Sequence, residues 1–349
     1  MNGESIAFWA PRALTILVAA ALSSALLIIL FRPLLEHYAM AQPNARSSHK
    51  VPTPQGAGIA VILATIGISY AAFCFLPTSA ARSLQFPIVT AAVGVIAGVG
   101  VLADIHPENI RWRLLLQTLA VAAVILVLPH ELRVLPMLPL PMERITLVIG
   151  GLWFVNLVNF MDGLDLMTVV EIVPITAALA LLGLLHFLPP PAIVVSLALC
   201  GAMIGFSYFN RPIAKLFLGD VGSLPIGLVL YWLLILLAGN GAYAAAVLLP
   251  LYYLSDSTIT LVRRALSGDR IWQAHRTHFY QRATDRGFSA SEVVAWVFLL
   301  NLCLCSLAIV TALVSDRRTA IAAIFAGAAL VAWTLAAFTR GRHQNSSTS

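Results

Sequence analysis

Long apolar runs recur along the whole chain, separated by short segments that hold nearly all of its charges. Each run has about 17 to 22 residues, the length that an α-helix needs to cross the hydrocarbon core of a bilayer. Prolines such as Pro33 mark the breaks between runs. We predict eleven membrane spans, at residues 13–31, 56–76, 86–102, 114–129, 145–160, 169–187, 191–208, 222–238, 242–262, 291–314 and 319–338.

The composition agrees with this pattern. Of the 349 residues, 60% are hydrophobic and only 10% are charged, whereas a soluble domain has roughly 25% charged residues. The first run has no small-residue cleavage site and precedes many others, so we interpret it as a retained helix. The sequence therefore predicts an all-α integral membrane protein, with one transmembrane domain over residues 1–340 and a short tail over residues 341–349.

The basic residues indicate the orientation. If the N-terminus lies outside, 15 of the 21 lysines and arginines fall on the inner side and six on the outer side, as the positive-inside rule requires. Nine acidic residues also lie at or beyond the inner ends of the predicted spans. Acids and bases therefore gather in five inner loops, and this predicts a site on the cytosolic face.

The first two inner loops contain weak signals. His49 and Lys50 precede a predicted helix start, whose free N–H groups suit an anion; an ordinary capped helix entry explains them as well. In the second loop, Asp104 ends the third span, and Arg111 and Arg113 begin the fourth. A single aspartate at a helix end is common, so this position is equally consistent with a site or with none.

The third inner loop reads FVNLVNFMDGLD. Asn156, Asn159 and Asp162 are spaced at i, i+3 and i+6, so they share one broad face of a helix. Gly163 allows the chain to turn and brings Asp165 close to them. Polar groups at a membrane helix end need partners, which are either a ligand or neighbouring helices that they join by hydrogen bonds.

In the fourth inner loop, Asp220 stands between Gly219 and Gly222, directly before an apolar span. Small neighbours allow a ligand or a metal to approach the backbone. Mg²⁺ takes one or two protein carboxylates together with phosphate oxygens, which makes Asp220 a candidate ligand. The alternative is a simple aspartate cap on the helix.

The fifth inner loop is the longest and carries a compact cationic cluster. His275 and His278 lie three residues apart, with Arg276 and Arg282 beside them. A histidine pair at this spacing raises the question of zinc, but the arginines and the lack of a nearby third ligand favour phosphate recognition. A basic loop near anionic lipid is the other interpretation.

Together the loops combine acids for Mg²⁺, bases for phosphates and glycines for close approach. Phosphoryl transfer between a water-soluble donor and a lipid-held acceptor needs this combination. A transporter is the main alternative from another class. Transporters place acids near the midplane of the membrane and often contain repeated halves, whereas here the acids lie at helix ends and we find no internal repeat.

The ordered motifs HKVPTPQGAG, NFMDGLD, FLGDVGS and AHRTHFYQR resemble the polyprenyl-phosphate N-acetylhexosamine-1-phosphate transferase family over residues 46–289. This family includes the phospho-N-acetylmuramoyl-pentapeptide transferase. The last motif looks most like the subgroup that primes O-antigen or capsule-type glycans. The resemblance implies transfer of N-acetylhexosamine-1-phosphate from a UDP-sugar to undecaprenyl phosphate, with release of UMP, in the bacterial inner membrane.

The resemblance also implies roles for individual residues. Asp220 matches the Mg²⁺-ligating aspartate, with Asp104 as a second candidate ligand and Mn²⁺ as a substitute ion. Phe217 matches an aromatic residue that lies against uracil. Asn159, Asp162 and Asp165 match the loop that binds the nucleotide. The histidine motif near the diphosphate comprises His275, Arg276, His278 and Arg282. His49 and Lys50 match the first-loop positions near the phosphates. Expected partners are the two substrates and membrane lipids, with no nucleic acid, and members of the family can be homodimers.

One position departs from the family pattern. The family has two aspartates at the end of the third span, and this chain has Ala103 followed by Asp104. The first aspartate is the proposed base for the lipid phosphate, so its loss raises the alternative of a degenerate member that binds substrate without turnover. A phosphate with a second pKa near 6 is mostly dianionic at neutral pH, however, so the need for that base is modest.

Overall fold

The computed structural model of the protein describes residues 3–41, 51–75, 85–105, 109–269 and 275–341. These residues form helices and one short antiparallel ribbon, in which β1, Met40–Ala41, pairs with β2, Thr53–Pro54. The helices in chain order are α1 Gly3–Tyr38, α2 Gly58–Phe73, α3 Gln85–Ile105, α4 Ile110–Leu126, α5 Leu140–Met161, α6 Met167–Leu184, α7 Pro190–Ser207, α8 Asp220–Gly239, α9 Tyr243–Leu248, α10 Leu251–Leu266, α11 Phe279–Asp285, α12 Ala290–Val314 and α13 Arg317–Arg340.

Eight helices in the described part of the chain are long and apolar enough to cross a membrane, namely α1, α3, α5, α6, α7, α8, α12 and α13. The predicted all-α membrane fold is therefore confirmed. The count of eleven is not confirmed. The predicted spans at 56–76 and 114–129 correspond to α2, with 16 residues, and α4, with 17.

Two predicted boundaries are wrong. The span at 242–262 is not one helix, because the chain breaks between α9 and α10 at Leu249 and Pro250, where proline lacks an N–H group for the helical hydrogen bond. Pro33 does not end the first helix, since α1 continues through it to Tyr38. Membrane helices tolerate such a proline when the freed carbonyl group finds another partner.

The position of α8 organises the fold. Every residue of this helix from Val221 to Ala238 is buried, and it packs against α2, α3, α5 and α9. A helix that is hydrophobic on all sides belongs in the centre of a bundle. The peripheral helix α1 differs, because it exposes leucines such as Leu14 and Leu26. Asp220, the first residue of α8, consequently lies among the ends of other helices.

Glycines allow three of these helices to meet backbone to backbone near Asp220. A Cβ atom on Gly58 of α2 would collide with the backbone of Gly222 in α8, and one on Gly100 of α3 would collide with Asp220 and Val221. The expectation that Gly222 leaves room for a ligand is therefore wrong. Helix–helix packing occupies that room, as is common for small residues in membrane bundles.

Candidate active site

A cavity of about 590 Å³ opens at the end of the bundle where α3 and α5 finish and α8 begins. Its polar lining comes from all five of the predicted inner loops. The lining residues include Gln55, Asp104, Asn159, Asp162, Asp165, Asn210, Phe217, Asp220 and Gln281. Six predicted site residues therefore share one cavity, although they are spread over more than 100 positions of the sequence.

Asp220 holds the centre of a polar network between three helices. Its Oδ2 atom lies 2.8 Å from Nη1 of Arg113 on α4, and its Oδ1 atom accepts a hydrogen bond of 2.7 Å from Nδ2 of Asn159 on α5. Asn159 also donates to the hydroxyl of Ser223 and accepts from Arg113. The Asp220 side chain does not cap its own helix, so the interpretation as a simple cap is wrong.

Asp104 supplies the cap of α8 instead. Its two carboxylate oxygens accept the backbone N–H groups of Asp220 and Val221, at 2.9 and 3.1 Å. An anion at a helix N-terminus stabilises the free N–H groups and the positive end of the helix dipole. Gln55 donates to the backbone carbonyl of Asp104 and joins the first loop to this end of α3. Asp104 thus fixes the position of Asp220.

The third loop divides its polar residues between the cavity and neighbouring helices. Asn156 donates to the side chain of Gln117 on α4 and acts as an interhelical link, which was the alternative interpretation of this loop. Asn159 and Asp162 line the cavity. Asp162 accepts a hydrogen bond from the hydroxyl of Thr168, and the loop that follows Asp162 turns back toward the cavity.

Asp162 directly follows the last residue of α5. Burial of its carboxyl group raises its pKa from 3.8 to about 7. The hydrogen bond from Thr168 opposes this rise, while the negative charges of Asp220 and Asp165 add to it. Proximity of several carboxylates in one cavity is unfavourable unless a cation or a proton compensates.

Asp165 and Asn210 join the third and fourth loops. Asp165 accepts the backbone N–H of Ala214 at 2.9 Å. Asn210 accepts the N–H of Leu166 at 2.7 Å and donates to the carbonyl of Leu216 at 2.9 Å. Our sequence analysis missed Asn210, whose only signal was its place in the turn sequence Asn-Arg-Pro. Both side chains shape the wall of the cavity through the backbone.

Of the two interpretations of the start of α2, the structure supports an ordinary helix entry and not a free anion site. The backbone N–H groups of Ala57 and Gly58 donate to the carbonyls of Phe217 and Leu218, at 3.0 and 2.8 Å. Phe217 in turn donates its N–H to Pro54, and it lines the cavity. The first and fourth loops are therefore joined by backbone pairing, and the predicted residues His49 and Lys50 lie outside the described residues.

The histidine motif is organised by an acid that our candidate set missed. Asp256 on α10 is fully buried and lies 3.2 Å from Nδ1 of His278, which is 2% exposed. The same carboxylate accepts the backbone N–H groups of Phe279 and Tyr280 at 3.0 and 3.1 Å, and so holds the start of α11. Two hydroxyl groups on α10, those of Tyr252 and Thr260, also donate to it.

The cationic cluster lies beside the cavity and does not line it. His275 stacks on His278, with ring centroids 4.9 Å apart, and Arg276 pairs with Asp285 at 3.1 Å. Burial and the nearby Arg263 and Arg286 lower the pKa of Arg282.

The same segment reaches the cavity through Gln281, a lining residue, and through Tyr280, whose hydroxyl donates to the carbonyl of Phe160. None of the four predicted histidines and arginines is among the residues that line the cavity. His278 instead pairs with Asp256, and Arg276 with Asp285.

The arrangement fits Mg²⁺ better than zinc. In the parts of the chain that the structure describes, no three His, Cys, Asp or Glu side chains converge as a metal cluster. The cavity instead offers the carboxylate of Asp220 and the amide oxygen of Asn159, with Asp104 and Asp162 nearby. Mg²⁺ is usually held by one or two carboxylates and completed by substrate phosphates, and this donor set suits it.

Fold and cavity together define an all-α membrane protein with an acid-rich cavity at one end of its helices. Residues 86–238 match the family described as glycosyl transferase family 4. Over 302 residues the chain is 29% identical to a decaprenyl-phosphate N-acetylglucosaminephosphotransferase of Mycobacterium tuberculosis, which covers 75% of this chain and 72% of that protein.

Two further relatives support the same relationship. The chain is 24% identical, over 305 residues and 82% of each chain, to a Bacillus subtilis protein named as a probable undecaprenyl-phosphate N-acetylglucosaminyl 1-phosphate transferase. A stretch of 117 residues is 28% identical to the phospho-N-acetylmuramoyl-pentapeptide-transferase of Alkaliphilus oremlandii, covering 33% of this chain and 35% of that one. The resemblance predicted from the loop motifs is confirmed, while the O-antigen subgroup stays a prediction.

Proposed function

We propose that the protein transfers N-acetylhexosamine-1-phosphate from a UDP-sugar to undecaprenyl phosphate, releasing UMP. One observation carries this proposal: Asp220 and Asn159 line a cavity at the helix ends, and Arg113 pairs with both of them. The cavity offers oxygen ligands for a divalent cation, and Arg113 offers a guanidinium group beside them for a phosphate. Relatives named for decaprenyl or undecaprenyl phosphate support a polyprenyl-phosphate acceptor.

The reaction requires one bond to form and one to break. An oxygen of the lipid phosphate attacks the phosphorus that carries the sugar and forms a new P–O bond. The bond from that phosphorus to the oxygen shared with the uridine-bearing phosphate breaks, and UMP leaves with that oxygen. Because the lipid phosphate is mostly dianionic at neutral pH, it needs no protein base, so Ala103 does not exclude turnover.

The residues of the cavity have distinct tasks in this mechanism. Asp220 and Asn159 would hold Mg²⁺, or Mn²⁺ in its place, and the ion would neutralise charge on the phosphates. Asp104 keeps Asp220 in position through the backbone of α8. Phe217 offers a wall for the uracil ring. Arg113 contributes positive charge where the diphosphate lies.

The histidine segment, residues 275–282, adds positive electrostatic potential around this cavity. In this proposal His275, Arg276, His278 and Arg282 attract the diphosphate of the donor from beside the acids. The cavity faces the cytosol of a bacterium, with the N-terminus outside and the C-terminus inside, so that a soluble donor meets a membrane-held acceptor. The product is the first intermediate of a cell-surface glycan of the O-antigen type.

The test is UMP release by purified protein in detergent. The protein receives undecaprenyl phosphate, Mg²⁺ and a panel of UDP-N-acetylhexosamines, with EDTA and Asp220→Asn as controls. Lipid-dependent release with one donor, lost in both controls, supports the proposal and names the sugar. Release that persists without lipid or in EDTA contradicts it.

A degenerate protein that only binds substrate is the second candidate, and Ala103 is the observation that favours it. The variant Ala103→Asp separates the two candidates. Wild-type turnover supports the active enzyme. UDP-sugar binding without turnover in the wild type, together with turnover in Ala103→Asp, supports the degenerate protein.

A further inference from the structure

Arg113 links three helices beside the cavity, where it pairs with two of the lining residues, Asp220 and Asn159. It lies in the first turn of α4, a helix whose start is capped by the side chain of Asn109. Its Nη1 atom lies 2.8 Å from Oδ2 of Asp220, and its Nη2 atom donates to Oδ1 of Asn159 at 3.0 Å. One guanidinium group therefore engages two oxygen atoms, one carboxylate and one amide, that come from α8 and α5.

These two oxygens are the donor types that a hard divalent cation uses. The other carboxylate oxygen of Asp220 already accepts a hydrogen bond from Asn159, so both oxygens of this side chain have partners. A guanidinium N–H that points at an oxygen weakens the binding of a cation to that oxygen, because the two positive charges repel each other at such short range. The positive charge of Arg113 thus compensates the same oxygens that a bound cation would compensate.

The pair is also open to exchange. The Arg113 and Asp220 side chains are 22% and 27% exposed, so water reaches them and neither charge is sealed in the protein. Ion pairs of this kind contribute little net free energy, and a divalent ion can compete with one. A fully buried pair such as that of His278 with Asp256 would resist such an exchange.

We propose that Arg113 is an internal counter-ion, which must move away from Asp220 and Asn159 before a divalent cation binds there. The inference rests on the proposed function for the role of that cation. It makes Arg113 a positioning residue with two states: paired with the ligand oxygens in the metal-free protein, and displaced from them in the metal-bound protein.

The test measures metal binding directly, without turnover. Mn²⁺ is titrated into purified protein in detergent, without nucleotide or lipid, and the free ion is followed by its EPR signal. We expect Arg113→Gln to lower the Kd for Mn²⁺ about tenfold, since the competing charge is gone. Arg111→Gln is the matched control, because Arg111 is exposed in the same helical turn and its removal changes the net charge equally.

The outcomes separate this inference from the proposed function. Unchanged affinity in Arg113→Gln, or an equal gain in Arg111→Gln, overturns the counter-ion role. Wild-type affinity in Asp220→Asn overturns the metal assignment itself.

If Arg113→Gln is less stable, the rise of its Tm on adding Mn²⁺ gives a second measurement, and it should exceed the rise in the wild type. Arg113→Lys keeps the charge but not the two-pronged contact, and an affinity between those of the wild type and Arg113→Gln supports the same role.

Discussion

The acid cavity and the histidine segment use the same kinds of side chain under different exposure to water. In the cavity, Asp220 meets Arg113 with both side chains about one-quarter exposed. At the histidine segment, His278 meets Asp256 of α10 with almost no exposure of either side chain. An exposed pair can exchange its partners for a ligand, whereas separating a buried pair leaves an uncompensated charge. The cavity is therefore suited to binding, and the segment to holding the chain in place.

The comparison also distinguishes the acids within the cavity. Asp104 uses both of its oxygens on backbone N–H groups, as Asp256 does in the segment. Asp220 uses its oxygens on side chains, which can move without disturbing a helix. The type of hydrogen-bond partner therefore separates an acid that positions the chain from an acid that is available to a ligand.

The largest effect is expected for Asp220→Asn. In the proposed mechanism this carboxylate holds the cation, so loss of its charge should lower turnover by at least about 100-fold. The thermal stability in detergent should stay close to that of the wild type. The measurement is UMP release together with thermal denaturation. Near-normal turnover would show that the cavity does not hold the reacting groups.

The next effect is expected for Asp256→Asn. The amide has one acceptor oxygen for several donors, and its NH₂ group faces further donors, so the protein should lose about 2–4 kcal/mol of stability. Thermal denaturation in detergent measures this loss. Asp269→Asn is the control, because Asp269 is exposed and pairs only weakly with Arg264. Equal stability of the two variants would contradict the positioning role of Asp256.

A smaller loss is expected for Asp104→Asn. The amide retains one acceptor for the two N–H groups at the start of α8, so the cost should be about 1 kcal/mol. A small shift of Asp220 should lower turnover by about tenfold. Both quantities are measured as for Asp220→Asn. Turnover as low as that of Asp220→Asn, with unchanged stability, would instead assign Asp104 to the ligand set.

The last prediction concerns pH. The pKa of Asp162 is about 7 in the folded protein, against 3.8 for an aspartate in the unfolded chain. Between these two pH values the carboxyl group is therefore more fully protonated in the folded state than in the unfolded state. The contribution of Asp162 to stability is therefore fully present below pH 3.8 and is lost as the pH rises through 7.

Thermal denaturation between pH 4 and 7, without metal or nucleotide, should show a flatter dependence in Asp162→Asn than in the wild type. Asp269→Asn serves as the control for a removed charge. Equal slopes in the wild type and Asp162→Asn would contradict the shifted pKa.

Part of this architecture was predictable from the sequence. The lengths of the apolar runs predicted the membrane helices, and the run after Asp220 predicted a helix that begins there. The cap of that helix was not predictable, because Asp104 and Asp220 lie 116 positions apart and a single sequence contains no signal for such a pairing. The role of Asp256 was not predictable for the same reason. The sequence does not distinguish an acid and a histidine that pair with each other from an acid and a histidine that bind a ligand.

The glycines illustrate another limit. Small residues beside an acid are compatible with an open binding site and with close helix packing. The two cases differ only in which atoms of the folded chain lie opposite the small residue. For Gly58 and Gly222 it is another backbone. For Gly219 it is the carboxylate of Asp104, whose presence there depends on how α3 ends.

The length of α8 determines the level at which the Asp220 carboxylate lies relative to the hydrocarbon layer of the membrane. At 1.5 Å per residue, its 20 residues extend about 30 Å, which is the thickness of the hydrocarbon layer. With its body buried and its first residue at the cavity, the helix places the Asp220 carboxylate at one surface of that layer. In the proposed reaction, a headgroup anchored by an isoprenoid chain would lie at the same level, so the lipid phosphate would reach the acid without leaving the membrane.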